Sequence, residues 1–180
     1  MLQTLRRFLC RSLPIIGVVA LLTASQAASA QEQRPDYLGT NRDWHAFQFS
    51  EGGNVVCFMA SRPTSEEGNY TRRGDVFVLV THRPAENSRD VVSFYSGYPF
   101  EENGSVSVTI DGGDNFTFFT EGETAWSPDP QTDRAIIDAM QAGSQMVVQG
   151  RSSRGTLTTD TYSLFGFTAT LGDINSACGL

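Results

Sequence analysis

The chain holds 180 residues, with 13 basic and 20 acidic side chains and a net charge of −7, a length suited to one ordinary domain behind a leader. Every basic residue is an arginine, which excludes lysine Schiff-base and lysine general-base chemistry. The first 30 residues contribute Arg6, Arg7 and Arg11 and no carboxylate, so the rest carries ten arginines against twenty carboxylates, a net charge of −10. Such a surface repels nucleic acid and anionic lipid headgroups.

Residues 1–30 have the form of a secretory signal peptide. A positive start is followed by the apolar run Leu13–Ala24 and by Ala28-Ser29-Ala30, small residues that place cleavage between Ala30 and Gln31. No other stretch approaches the ~20 apolar residues of a spanning helix, so no transmembrane segment is expected in residues 31–180. Cys10 precedes the apolar run and is not placed to carry a lipid.

Residues 31–42, polar and interrupted by Pro35 and Gly39, read as a flexible N-terminal segment, and 43–180 as a single domain. Asp43–Ser50 and Asn54–Ala60 flank Glu51-Gly52-Gly53 and predict a hairpin. Asp75–Thr81 is β-branched and apolar on both parities, which suits a strand in the middle of a sandwich. Val91–Tyr95 follows. Ser105–Ile110 alternates apolar and hydroxyl residues, turns at Asp111–Asp114 and returns through Phe116–Thr120. Glu123–Trp126, Gln145–Gln149 and Thr156–Tyr162 read as later strands. Asp129 as cap and Pro130 as first residue predict a helix to Ala142 stopped at Gly143, with Ile136, Ile137 and Met140 facing the core. Phe167, Leu171, Ile174 and Cys178 share one face of a second helix that Gly166 and Gly172 weaken. About nine short strands with regular turn signals indicate a mainly β fold, a β-sandwich with a closed barrel as the competing architecture, and one or two short helices. The phenylalanines, twelve in the sequence and eleven beyond the leader, supply its core.

Beyond the leader two cysteines remain, Cys57 and Cys178. An even count in an exported chain predicts a disulfide between them, and the second helix turns Cys178 toward the core. Two separate thiols or metal ligands are the alternative, but neither has His or Cys neighbours in sequence.

Chemistry is sparse. The only histidines, His45 and His82, stand 37 positions apart, outside any metal-ligand spacing. Either could serve a small hydrolase with one of the many serines, but Gly150–Gly155 departs from the nucleophile-elbow pattern. Asp111–Asn115 lacks the later carboxylate of a calcium loop and reads as a turn. Glu66-Glu67 and Glu101-Glu102 read as solvated loops. No phosphate cradle is visible, and no catalytic residue, cofactor or metal is assigned. Arg73-Gly74-Asp75 spells the tripeptide that integrins recognise, though its glycine equally marks a turn.

Several segments together resemble the invasion associated locus B family of exported alphaproteobacterial proteins. They are Asp43-Trp44, Val56–Pro63, Arg73–Val76, Ser96–Phe100, Thr124–Trp126, Gly150–Thr156 and Thr159–Phe167, ending at Cys178. The resemblance implies an immunoglobulin-like β-sandwich, located in the periplasm, on the cell surface or secreted. It also implies a non-enzymatic protein that meets a protein partner in the envelope or on a host cell, with a role in invasion where the source is a pathogen. A periplasmic hydrolase and a structural or chaperone-like envelope protein are the other readings.

Overall fold

The computed structural model describes residues 34–180. The expected leader and its expected cleavage between Ala30 and Gln31 lie outside the described residues. Alternation of inward and outward side chains builds eleven strands. They are β1 (Asp36–Asn41), β2 (Trp44–Glu51), β3 (Asn54–Ser61), β4 (Ser65–Gly68), β5 (Phe77–Arg83), β6 (Ser88–Tyr95), β7 (Ser105–Ile110), β8 (Asp114–Glu121), β9 (Thr124–Trp126), β10 (Gln145–Arg151) and β11 (Leu157–Ser163). Two helices, α1 (Pro130–Ala142) and α2 (Phe167–Cys178), complete the fold.

Pairing is antiparallel throughout and runs through one sheet in the order β1-β2-β3-β5-β6-β9-β8-β7-β10-β11-β4. That order forces curvature. β3 and β4 stand eight places apart, which in a flat sheet is ~38 Å at ~4.8 Å per strand. Only residues 62–64 join them, a reach of ~14 Å from Ser61 to Ser65. The sheet therefore folds over, and its two halves turn their inner faces toward each other. Trp44 of β2 closes the fold by donating its indole N–H to the Ser163 carbonyl at the end of β11, at 3.0 Å. The mainly β class with two helices and one disulfide is as expected. The hydrogen bonding is continuous through one doubled-over sheet rather than divided between the two sheets of the expected sandwich. β1 and β4 remain as edges, so the sheet is not a closed barrel.

One core cluster joins Trp44, Met59, Val80, Phe94, Phe118, Met146, Tyr162 and the inner faces of both helices. Trp44 meets Phe167 edge-on at 4.9 Å between ring centroids. Cys57 of β3 and Cys178 in the last turn of α2 form a disulfide across 121 positions, with Cα atoms 5.9 Å apart. The bond pins α2 against β2 and β3.

Local chemistry explains the elements read correctly. The Asp129 carboxylate accepts the N–H groups of Gln131 and Thr132, both at 2.8 Å, and caps α1. Gly143 ends α1 in extended rather than left-handed backbone; a Cβ there would stand 2.5 Å from Ile110 Cγ2. α2 runs unbroken through Gly172.

Three expectations are corrected. Residues Asp36–Asn41, placed in a flexible segment, form the edge strand β1, registered on β2 by pairs from Asp36–Gln48 to Asn41–Trp44. Ser65–Gly68, whose Glu66-Glu67 were expected in a loop, is exposed throughout and forms the opposite edge strand. β5 is buried on one face only: Val78, Val80 and His82 point inward, while Phe77, Leu79 and Thr81 are half-exposed. No helix among the described residues is long and apolar enough to cross a membrane.

Candidate functional site

Three separated segments converge on one cleft of about 710 Å³. They are the Asn69–Arg72 loop after β4, Gly97-Tyr98-Pro99 after β6, and the Ser152–Thr156 turn between β10 and β11. Backbone bonds lock them together. The Ser153 N–H donates to the Pro99 carbonyl at 2.8 Å, that of Glu101 to Arg151 at 3.0 Å, and that of Gly74 to Gly97 at 2.9 Å. Gly74 and Gly97 let the first two segments touch backbone to backbone: a Cβ on Gly97 would lie 2.6 Å from the Gly74 carbonyl oxygen. Gly150 makes room in the same way, since its Cβ would stand 2.7 Å from the Phe100 ring.

Arg73 and Asp160 do not line the cleft but are buried behind it, Arg73 against Tyr70 and Tyr98, which do line it. The Arg73 guanidinium donates to both Asp160 oxygens at 2.6 and 2.7 Å, and its Nε to the Ser96 carbonyl at 2.6 Å. Glu66 adds a longer ion pair at 3.6 Å. The guanidinium also lies over the rings of Tyr70 and Tyr98, 5.5 and 5.1 Å from their centroids. Burial would depress its pKa, but the hydrogen bonds and charge of Asp160 outweigh that and raise it. The Tyr98 hydroxyl is 2.6 Å from that of Thr158, and burial raises its pKa. These groups are paired and rigid.

The arginine of Arg73-Gly74-Asp75 therefore cannot reach an adhesion receptor: its side chain is 3% exposed. Asp75 is held outside by Arg62 at 3.1 Å. The tripeptide is split between a buried ion pair, a backbone contact and a surface pair.

At the rim the situation reverses. Arg72 and Arg154 are exposed and, among the described residues, make neither an ion pair nor a side-chain hydrogen bond. The exposed Glu123 carboxylate and the hydroxyls of Thr71, Ser153 and Thr156 share the opening. The arrangement offers two cations, one carboxylate and several hydroxyls over a fixed lining, which is a recognition surface.

The two histidines stay apart from the cleft. His82 is fully buried on β5, opposite Cys57 in the β3 pairing. Its Nδ1 accepts the Asp90 N–H at 2.9 Å. Nδ1 is thus an acceptor, where a catalytic base would donate from that nitrogen to its carboxylate. Burial pushes its pKa down, opposed by Asp90 and reinforced by Arg89. His45 is exposed on β2, with Nδ1 2.6 Å from the Thr40 hydroxyl, which is in turn hydrogen-bonded to the Tyr37 hydroxyl. No carboxylate orients the His45 ring among the described residues. Asp111 accepts the N–H groups of Ser144 and Gln145, tying the turn after β7 to the start of β10. Among the described residues no group of three His, Cys, Asp or Glu side chains is arranged to hold a metal ion. Glu66 and Glu67 stand exposed on β4, not in a loop.

The aromatic side chains divide differently from expectation. Only Phe94, Phe100, Phe118 and Phe167 are buried phenylalanines among the described residues. Phe47, Phe49 and Phe58 pack against one another on the outer face of β2 and β3, with Tyr37 extending the row to the β1 edge. Phe77 stacks on Tyr95 at 4.4 Å on the same face of β5 and β6.

Sequence reading found neither the cleft nor its rim arginines. The only signal was indirect, since Arg73–Val76, Ser96–Phe100 and Gly150–Thr156 were among the segments that carried the family resemblance. No curated protein and no solved structure matches the chain. Residues 44–175 match the family model described as invasion associated locus B (IalB) protein, and the chain belongs to that family.

Proposed function

We propose that this is a non-enzymatic exported protein that acts by binding, either within the bacterial envelope or against a host cell. The cleft carries the reading. The groups that back its lining are consumed by one another, with Arg73 held by Asp160 and Tyr98 by Thr158, while among the described residues Arg72 and Arg154 stand unpaired at its mouth. Such a site is built to recognise rather than to react, because no activated nucleophile meets an oriented base there. The leader pattern, the Cys57–Cys178 bond and the family's association with invasion support export and contact.

A photo-crosslinking side chain in place of Ser153, in the protein expressed from its own gene, tests this. A saturable adduct with one envelope or host-cell partner, competed away by unlabelled protein, is the expected result. No adduct in intact bacteria, alone or on host cells, refutes binding through the cleft. Protease added to intact bacteria then separates the locations: degradation indicates the surface, and protection the periplasm.

A further inference from the structure

We infer that the cleft binds a glycan bearing a single carboxylate. The inference rests on the cleft being the recognition site and adds what it recognises. Arg72 and Arg154 are planar, permanently charged donors suited to grip a carboxylate through paired N–H groups. Among the described residues neither has an ion-pair partner; Arg34, Arg42, Arg134 and Arg151 have none either, but only Arg72 and Arg154 line this cleft together. A bare anion would be opposed by Glu123 on the same rim. A sugar turns that carboxylate to use, because vicinal hydroxyls donate to it while the ligand's acid group sits with the arginines. Asn69, Ser153 and Thr156 supply further donors and acceptors of the kind sugar hydroxyls pair with. The volume, about 710 Å³, lies within the range of small-molecule sites.

Charge limits the ligand further. With −10 on residues 31–180, a polyanion is repelled as a whole even where one unit fits. One acid group per ligand is the arrangement the surface tolerates. Tyr98 is already fixed by Thr158 and by Arg73 against its ring, which reduces the ordering cost on binding.

The test is calorimetric titration of the exported protein with two acid–neutral pairs, sialyllactose against lactose and methyl glucuronide against methyl glucoside, and with inorganic phosphate. At least one acid is expected to bind about tenfold or more tighter than its neutral partner. Which acid does so identifies the sugar class. Arg72→Gln with Arg154→Gln should remove that preference without moving the melting temperature, and Glu123→Gln should weaken the acidic sugar while favouring phosphate. Equal binding of acid and neutral sugars, no binding at millimolar concentration, or full affinity in the double variant would each overturn the inference. Phosphate binding as tight as the sugar would overturn it too. If the Ser153 crosslink to a partner forms while every sugar fails, the ligand class is wrong and the recognition site stands. If both fail, so does the site.

Discussion

Removing one partner of the Arg73–Asp160 pair should be the most damaging polar substitution in the protein. The two side chains are 3% and 6% exposed and joined by two hydrogen bonds under 2.8 Å. Asp160→Asn keeps one acceptor oxygen but removes the countercharge, leaving the buried guanidinium the Ser96 carbonyl, the two tyrosine rings and the distant Glu66. Breaking such a pair costs about 3–5 kcal/mol, because an uncompensated charge remains out of water. For a domain of this size that lowers the melting temperature by roughly 10 °C. Arg73→Met should cost a similar amount through the stranded Asp160. Combined with Asp160→Asn it should cost clearly less than the sum of the two, since the double variant buries no charge. Urea unfolding of the wild type, both single variants and the double variant gives all the values needed. A single variant within about 1 kcal/mol of the wild type, or simple additivity, would show that the pair is hydrated in solution and that the cleft lining is not fixed as described.

Three further outcomes follow from the same physical reasoning. Replacing Cys57 and Cys178 together by alanine should lower stability by about 2–5 kcal/mol, given a closure of 121 positions, measured against the oxidised wild type. His82 has a depressed folded pKa, so the unfolded chain takes up its proton first as pH falls. Stability should therefore decline below the ordinary histidine value near 6.5, by up to about 1.4 kcal/mol per pH unit. His82→Asn, whose Oδ1 can accept the Asp90 N–H, should flatten that slope between pH 7 and 5; an unchanged slope would assign it to other groups. Asp129→Ala should lower the melting temperature by uncapping α1, and an unchanged melting temperature would mean that water replaces the cap.

What was legible in the sequence was what is decided locally. α1 was bounded to the residue because Asp129, Pro130 and Gly143 act within one turn of the helix end. The β7–β8 hairpin was legible because strict alternation matches one buried face. β4 was not, because four exposed polar residues form a strand only when β11 offers its backbone. β1 was hidden behind Pro35 and Gly39, and it exists because Trp44 and the start of β2 are anchored in the core. The aromatic residues misled for a related reason. In β2 and β5 both parities carry apolar side chains, so composition could not say which face meets the core. The cleft lies further still from local signals. It is made of three loops without periodicity, and only the curvature of the whole sheet brings them within reach.

The contact between Gly74 and Gly97 shows how far that curvature can be tested by one atom. Gly97 has φ +70°, and a Cβ on it would stand 2.6 Å from the Gly74 oxygen and 3.0 Å from that of Asp75, both backbone atoms. Gly112 has nearly the same φ, +72°, in the turn after β7, and nothing lies within 4 Å of its Cβ position. Alanine at either site carries the left-handed penalty of roughly 1–2 kcal/mol. Only at Gly97 must the loop bearing Arg73 also move away from the loop bearing Tyr98. Gly97→Ala should thus destabilise the protein by at least about 1 kcal/mol more than Gly112→Ala, because overpacking against fixed backbone adds to the conformational cost. It should also weaken any ligand held across the cleft, whereas Gly112→Ala leaves binding unchanged. Equal losses at the two positions would mean that the two loops are not in contact, and the support that Arg73 gives the Tyr98 ring would then be absent.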